Sequence, residues 1–213
     1  MAVEPFDRYW LEYDAWYDKH PGIYQSELWA VEVASRGVPR PWLEVGVGSG
    51  RFAAPLRVDV GLDASEKLLE LAAKRGVFAV LGRAEELPFR DESFGGVFII
   101  ITLCFLEDPL IALKESRRVL RRGGRLIVAI VPRESPWGAY YSQLGRSGHR
   151  FYSYARFYAF SELVGMLEAA GFAVEAAVST LHAPPGSPEA LEAPVPGVSP
   201  RAGFLVVRAR PAD

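Results

Sequence analysis

The fold is decided by the stretch "PWLEVGVGSGRFAAPL", residues 41–56, in which an apolar run ends in an acid and a glycine-rich turn follows. The acid is Glu44, and Gly46, Gly48 and Gly50 come after it at alternate positions. An apolar run without alternation predicts a strand that is buried on both faces. A glycine-rich turn directly after such a strand is typical of a loop that holds a nucleotide.

Further strands and helices alternate along the chain. After the strand at 42–45, similar apolar runs cover 60–63, 77–82, 95–102 and 125–131. Helical patterns that begin near Ser or Asp-Pro and end at Gly cover 65–76, 108–124 and 161–172. This alternation predicts an α/β protein with a doubly wound, mostly parallel sheet and helices on both faces.

The C-terminal third departs from this order. Two strand-like runs, 172–178 and 203–209, are joined by a proline-rich loop, 183–200, without a helical pattern. Parallel neighbours need a long crossover that is usually helical. We therefore expect an antiparallel hairpin at the sheet edge and seven strands in all. The aromatic N-terminal segment (1–30) and an insertion at 132–158 are expected to cover the ligand edge of the sheet.

Length and composition narrow the class of protein. The chain has 213 residues, 50% of them hydrophobic, which suits a single domain over 1–213. Its formal net charge of −2 gives no long-range attraction to nucleic acid or anionic lipid. The N-terminus lacks a signal-peptide pattern, and the longest apolar run is too short to span a membrane. We expect a cytoplasmic protein without nucleic-acid or membrane partners.

Cysteine and histidine usage predicts no metal site. Cys104 is the single cysteine, so disulfides and cysteine zinc sites are excluded. The three histidines are scattered along the sequence, and His20 and His182 are expected at the surface.

The glycine spacing narrows the choice of ligand. The dinucleotide fingerprint needs G-x-G-x-x-G, but Arg51 stands at its third glycine, and no Gly-Lys-Ser/Thr follows as in a P-loop. Glu44 would repel a pyrophosphate, because like charges disfavour each other. It suits S-adenosylmethionine, which carries a sulfonium, an ammonium and a ribose but no phosphate. Alternatively, Glu44 caps backbone amides of the loop, and the two roles can coexist.

Other acids follow the next two strands. Asp63 ends the strand at 60–63, where an acid commonly meets the ribose hydroxyls in a nucleotide-binding unit. The alternative is that Asp63 or Ser65 caps the following helix. Ala84 and Glu85 follow the third strand, where a backbone N–H and a carboxylate suit the adenine ring.

Four motifs in this order resemble the class I S-adenosylmethionine-dependent methyltransferases, over almost the whole chain. They are "LEVGVGSGRF", "VGLDAS", "GRAEELPFRDESFGGVF" and "LEDPLIALKESRRVLRRGGRLIVAIV". The N-terminal "YDAWYDK" is similar to a family segment that folds over the cofactor. The most similar subgroup is the small-molecule type related to the ubiquinone and menaquinone biosynthesis methyltransferases.

The resemblance implies a Rossmann-like methyltransferase fold that binds S-adenosyl-L-methionine and releases S-adenosyl-L-homocysteine. The cofactor-binding residues it implies are Glu44, Gly46, Gly48, Gly50, Asp63, Ala64, Ala84, Glu85, Tyr13 and Trp16. The chain departs from the family in three places. Arg83 stands where relatives often carry Asp, "TLCFLED" lacks their histidine pair, and the Asn/Asp-Pro-Pro-Tyr motif is absent.

The function implied is methyl transfer to an O, N, S or C atom of a small molecule, by a monomer or a homodimer. Candidate catalytic residues are His149, Tyr141 and Tyr152. An aromatic wall of Tyr13, Tyr17, Trp137, Tyr140 and Tyr141 would suit a sulfonium or a planar acceptor, although ordinary lid packing also explains each ring. The alternatives are a regulatory module that binds the cofactor without transferase activity, and a dinucleotide-dependent oxidoreductase.

Overall fold

A computed structural model describes residues 3–212, so Met1, Ala2 and Asp213 of the predicted domain lie outside the described residues. The structure contains one sheet of eight strands. They are β1 (Trp42–Val45), β2 (Val60–Asp63), β3 (Ala79–Leu81), β4 (Phe94–Ile100), β5 (Leu120–Ile130), β6 (Phe172–Thr180), β7 (Val195–Pro196) and β8 (Phe204–Pro211).

Helices flank the sheet and precede it. They are α1 (Glu4–Arg8), α2 (Trp10–Lys19), α3 (Pro21–Ala34), α4 (Ala53–Leu56), α5 (Glu66–Lys74), α6 (Pro109–Val119), α7 (Pro136–Arg146) and α8 (Phe160–Ala169). Two short 3-10 turns, Leu103–Phe105 and Tyr152–Tyr154, follow β4 and α7. Within residues 3–212, every helix falls short of the length and apolar character that a membrane crossing requires.

The sheet order is β3-β2-β1-β4-β5-β8-β6-β7. Strands β1 to β5 pair in parallel, whereas β8 runs antiparallel to both β5 and β6. The predicted doubly wound, mostly parallel sheet with antiparallel C-terminal strands is therefore confirmed. The chain order reverses between β1 and β4, and ligands of open α/β sheets bind beyond the strand ends at this point.

One detail of the predicted C-terminus is wrong. The sheet has eight strands rather than seven, because the two-residue β7 forms inside the predicted proline-rich loop and pairs with β6 at Ser179. The predicted antiparallel hairpin of β6 and β8 does lie at this end of the sheet, and β8 is its inner strand. The reason is its composition, since Phe204 to Val207 are all buried, whereas Glu175 on β6 is charged and partly exposed.

The hydrophobic core has one layer on each side of the sheet, because successive strand residues point to opposite faces. On β4, Val97 and Ile99 pack in the layer that contains α6 and α8. Phe98 and Ile100 pack in the opposite layer, which contains Ala30 and Val31 of α3. The helix α3 thus joins the N-terminal segment to the core, and α2 and α1 extend from it towards the strand ends.

The substitution Phe98→Ala is expected to lower the free energy of unfolding by about 3–5 kcal/mol, because it removes a fully buried ring and leaves a cavity. Urea titration measures the change. Phe78→Ala, on a ring that is 68% exposed beside β3, is the matched control and should change stability by less than about 0.5 kcal/mol. Equal losses in the two variants would contradict the two-layer core.

Candidate functional site

The glycine loop after β1 passes so close to its neighbours that side chains do not fit. A Cβ on Gly46 would lie 2.2 Å from Thr102 Cγ2, just after β4, and the φ of Gly46 is +75°. Thr102 Oγ1 donates to the Gly46 carbonyl oxygen at 3.2 Å. Gly50 has a φ of +80°, and a Cβ there would lie 3.1 Å from Ala72 Cα on α5. The loop is therefore fixed between the ends of β1, β4 and α5.

Asp63 at the end of β2 holds the same loop through its carboxylate. Its Oδ2 accepts a hydrogen bond from Gly48 N at 2.8 Å, and its Oδ1 accepts one from Ser65 N at 2.9 Å. Ser65 caps α5 by accepting from Leu68 N at 3.2 Å. The helix-capping alternative thus describes Ser65 correctly. The backbone of Ala64 also bonds to the Asp63 carboxylate, which leaves one of its about four acceptor sites free.

Two further carboxylates near the loop are buried without hydrogen-bond partners. Glu44 is 2% exposed, and its Oε2 has no partner among residues 3–212. Both carboxylate oxygens of Glu85 are likewise without one, although Arg83 Nε lies 3.7 Å from Oε2. Burial, and secondarily the charge of Asp63, raises the pKa of Glu44 well above its ordinary value. Glu44 therefore does not cap the loop, and buried acceptors of this kind call for a donor.

The N-terminal segment covers the loop through Tyr13 of α2. A Cβ on Gly48 would lie 3.4 Å from Tyr13 Cε1. The Tyr13 ring packs edge-on against Phe6 of α1 and against Phe151, with centroids 5.4 and 5.9 Å away. Trp16 lies elsewhere on α2, where it packs against His20 at 4.9 Å. The structure brings Tyr13 to the glycine loop and Trp16 to the wall of an adjoining cavity.

A group of four charged residues, which we call the α2 clamp, ties this cover to the loop: Asp14, Asp18, Arg51 and Arg75. Arg51 donates to both carboxylate oxygens of Asp14 at 2.8 Å and to Asp18 at 2.7 Å. Arg75 donates to Asp14 at 2.9 Å and to the Ser49 carbonyl oxygen at 2.7 Å. Although burial opposes it, hydrogen bonding to these guanidinium groups holds the pKa of Asp14 below its ordinary value.

A cavity of about 640 Å³ adjoins the loop. Its wall is largely aromatic and contains the whole predicted wall: Tyr13, Tyr17, Trp137, Tyr140 and Tyr141. The wall is formed by α2, α3, the predicted insertion 132–158 and the loop 183–192. His20 is half-buried, with its side chain 43% exposed as expected of a surface residue, and its Nδ1 lies 3.2 Å from Glu189 Oε1. His182 is also half-buried, and its Nε2 is enclosed.

The predicted catalytic candidates meet in this cavity. The rings of Tyr141 and Tyr152 lie 4.5 Å apart, and His149 stacks on Tyr152 at 4.6 Å. His149 Nδ1 accepts hydrogen bonds from the backbone N–H groups of Phe151 and Tyr152, at 3.3 and 3.4 Å. Burial lowers the pKa of His149, so the ring is neutral at pH 7 and carries its proton on Nε2.

The side chains of Tyr141, Tyr152 and His149 are better suited to donate a proton than to accept one. Burial raises the pKa of Tyr141 and Tyr152, which keeps both phenols protonated. Burial also raises the pKa of the Cys104 thiol, on the same wall, to about 12. His149 uses its free lone pair on backbone amides, and it would have to lose those bonds to accept a proton.

Sequence reasoning missed one carboxyl group in the cavity, Glu27 of α3. It is 7% exposed, and burial raises its pKa to about 8. The signal was present in the sequence, because helical spacing places Glu27 on one face with Ile23, Ala30 and Ala34. A lone acid on an otherwise apolar helix face is unusual and costly.

The loop 183–192 is a second feature that the sequence did not reveal. Glu192 holds the loop, because its carboxylate accepts from the backbone N–H groups of His182 and Ala183, at 2.6 and 3.3 Å. Its own N–H donates to Ser26 Oγ on α3 at 2.8 Å. No group of three or more metal-ligating side chains occurs within residues 3–212.

Comparison with known proteins identifies relatives along most of the chain. Residues 43–128 match a family model described as a methyltransferase domain. A solved Thermotoga maritima structure, described as an S-adenosylmethionine-dependent methyltransferase and possible histamine N-methyltransferase, is 40% identical with a TM-score of 0.90. The match covers 97% of this chain and 98% of that one.

Two curated relatives extend the comparison. An uncharacterised protein of Mycobacterium tuberculosis strain H37Rv is 40% identical over 200 residues, 92% of this chain and 70% of that protein. A demethylmenaquinone methyltransferase of Thermotoga maritima is 37% identical over 139 residues, 60% of each chain.

Breaking the α2 clamp with Asp14→Asn is expected to loosen α1 and α2, because two partly buried guanidinium groups lose their shared carboxylate. A loss of charged hydrogen bonds of this kind costs about 1.5–3 kcal/mol. Hydrogen exchange of residues 4–19 measures it, and protection should fall there while that of β4 and β5 is retained. Asp18→Asn is the control, because Asp18 is 68% exposed and bonds to Arg51 alone.

The clamp should also weaken in acid. Because the folded-state pKa of Asp14 is below its unfolded value, the contribution of Asp14 to the free energy of unfolding is complete above an ordinary carboxyl pKa of about 4. It is lost as the pH falls towards the folded-state pKa. Protection of residues 4–19 that did not depend on Asp14 at pH 7 would contradict the clamp.

Proposed function

We propose that this chain, which belongs to the class I S-adenosylmethionine-dependent methyltransferases, binds a small-molecule acceptor in its aromatic cavity. The chain transfers the methyl group of S-adenosylmethionine. The cavity supports the proposal, because its volume of about 640 Å³ and its largely aromatic wall suit a small planar molecule better than a macromolecule.

We propose that the residues of the glycine loop and the following strand ends hold the cofactor. The observation that carries this is the pair of buried carboxylates, Glu44 and Glu85: Oε2 of Glu44 and both oxygens of Glu85 have no hydrogen-bond partner within residues 3–212. The cofactor offers what they need, an ammonium group for Glu44 and an adenine amine for Glu85. Asp63 and the backbone of Ala64 would meet the ribose, and the backbone of Ala84 the adenine ring.

The loop backbone and the N-terminal segment would supply the remaining cofactor contacts. The backbone of Gly46, Gly48 and Gly50 would contact the ligand, and Tyr13 would close over it from α2. Trp16 lies on the cavity wall and packs against His20, so we assign it to the passage between cofactor and acceptor. The nearby cations Arg51 and Arg75 bond to Asp14, which supports a ligand without phosphate.

When bound, S-adenosylmethionine supplies a methyl group that is already activated by its positive sulfur. The protein's part is then mainly positioning, which is worth up to about 7–11 kcal/mol in favourable cases. Tyr141, Tyr152 and the Nε2–H of His149 would orient the acceptor as hydrogen-bond donors. A general base would add about 10²–10⁴-fold where the acceptor must lose a proton.

The name of the similar Thermotoga maritima structure points to an amine acceptor for that protein, and the demethylmenaquinone enzyme to a quinone. Both are small molecules, and amines deserve the first assays on this chain. We further propose that the protein is a single domain, cytoplasmic, a monomer or homodimer, and without a nucleic-acid partner. Its formal net charge of −2 supports the last point.

The substitution Glu44→Gln is expected to change binding and stability in opposite directions. S-adenosylhomocysteine keeps the ammonium group, so its affinity should fall at least tenfold, about 1.4 kcal/mol. The variant should be at least as stable as the parent, because it no longer buries an unpaired carboxyl group. Calorimetric titration and urea unfolding measure the two effects, with NAD as a ligand that should not bind.

Glu86→Gln, at the exposed neighbour of Glu85, is the matched control and should behave as the parent. The stability difference has a defined pH dependence. The folded-state pKa of Glu44 is raised, so its protonation stabilises the folded protein. This contribution is complete below the unfolded pKa of about 4.3 and is lost as the pH rises through the folded-state pKa. The advantage of Glu44→Gln should therefore grow with pH. Unchanged affinity for S-adenosylhomocysteine would exclude Glu44 from the cofactor site.

A further inference from the structure

Glu27 is a buried carboxyl group that the cofactor site does not use. It lines the aromatic cavity from α3 and is 7% exposed. No side chain or backbone group within residues 3–212 forms a hydrogen bond or ion pair with its carboxylate. An unpaired buried acid costs free energy, and replacement by an apolar residue would relieve it. Its presence on the cavity wall is explained by a ligand that supplies the missing partner.

The groups that face Glu27 are mostly phenols. Burial is the main cause of the raised pKa of four tyrosines, and the charge of Glu27 adds to it: Tyr17 on α2, Tyr24 on α3, and Tyr141 and Tyr152 in the insertion. The other titratable or charged residues of the cavity wall are Glu12, Lys19, His20, Cys104, His149, Glu189 and Glu192.

Most of those charges are already engaged. Glu12 pairs with Arg150, His20 with Glu189, and Glu192 with two backbone N–H groups. Lys19 is exposed. Glu27 is thus the deeply buried acid of a largely aromatic wall, and the faces of aromatic rings attract cations.

We propose that the methyl acceptor is an amine, and that Glu27 binds its ammonium group and takes up the proton that the nitrogen must lose. This deepens the proposed function and rests on it. A largely aromatic cavity with one deeply buried, unpaired carboxylate favours a cation over a neutral quinone or alcohol of the same shape, because only the cation neutralises the buried charge. Tyr141, Tyr152 and His149 are donors in this cavity, which leaves Glu27 as its proton acceptor.

The reaction balances with these groups alone. The acceptor ammonium gives one proton to the Glu27 carboxylate and becomes a neutral amine with a free electron pair. That pair forms the new N–C bond while the C–S bond breaks and its electrons return to sulfur. The products are a methylated ammonium and a neutral thioether, and Glu27 later releases its proton to water. The methylated ammonium product carries the same positive charge as the substrate ammonium, so the Glu27 carboxylate can pair with either.

Glu27→Gln tests the proposal by binding and not only by turnover. The probes are phenethylamine and its neutral counterpart 2-phenylethanol, titrated calorimetrically into the full chain with S-adenosylhomocysteine present. Glu27→Gln should lower the affinity for phenethylamine at least tenfold and change the affinity for 2-phenylethanol by less than twofold. Glu32→Gln is the matched control, because Glu32 lies on the exposed side of the same helix, and it should leave both affinities unchanged.

The pH profile gives an independent readout. Free Glu27 is protonated below a pKa of about 8, whereas the amine, like other alkylamines, stays charged to about pH 10. The affinity of the parent for phenethylamine should therefore rise between pH 6 and 8 and level off above. The profile of Glu27→Gln should be flat over this range, and Glu27→Asp, which restores the charge, should regain part of the slope.

The outcomes separate this inference from the function on which it rests. If S-adenosylhomocysteine does not bind the parent, the proposed cofactor site is wrong. If S-adenosylhomocysteine binds but Glu27→Gln leaves the affinity for phenethylamine unchanged, or lowers the affinities for both probes equally, the amine assignment is wrong while the proposed methyl transfer stands. Failure of the parent to bind phenethylamine at millimolar concentration would also overturn the assignment. Urea unfolding checks that Glu27→Gln is folded, and we expect it to be no less stable than the parent.

Discussion

The close approach between the glycine loop and the end of β4 is the constraint on which the rest of the structure depends. Gly46 has no side chain, and Thr102 occupies the space where one would be. This brings the ends of β1 and β4 together at the point where the sheet order reverses. Asp63 then fixes the loop from β2. The loop amides, the strand-end acids and the cover from α2 take their positions from this junction.

Unpaired carboxyl groups distinguish the functional region from the remainder of the molecule. Several other acids are bonded to arginine, such as Glu175, which accepts from Arg125 and Arg208. In contrast, Glu44, Glu85 and Glu27 are buried without hydrogen-bond partners among the described residues. Each of them costs folding free energy. A cofactor with a positive sulfur and an ammonium group, together with a cationic acceptor, would offset that cost on binding.

The sequence predicted the cofactor side of the molecule much better than the acceptor side. The bounds of β1 and β2 were predicted to the residue, because a glycine loop between buried strands is a local pattern. The resemblance in the N-terminal segment predicted Tyr13 as a cofactor contact, and the structure places its ring beside Gly48. The place of β8, the short β7 and the folding of 183–192 over the cavity depend on contacts distant in sequence, which no local pattern records. Glu27 did leave a local trace, as an acid on an apolar helix face.

The origin of the cavity wall has a consequence for evolution. The cofactor would meet a loop and strand ends whose geometry tolerates few changes, since Gly46 and Gly50 admit no larger residue without strain. Most of the acceptor wall, in contrast, comes from three segments outside the parallel strands: α2 with α3, residues 132–158, and the loop 183–192. Substitutions, insertions or exchanges in these segments can alter what is methylated while the donor site stays intact. One ancestral donor site can in this way serve descendants that act on unrelated metabolites.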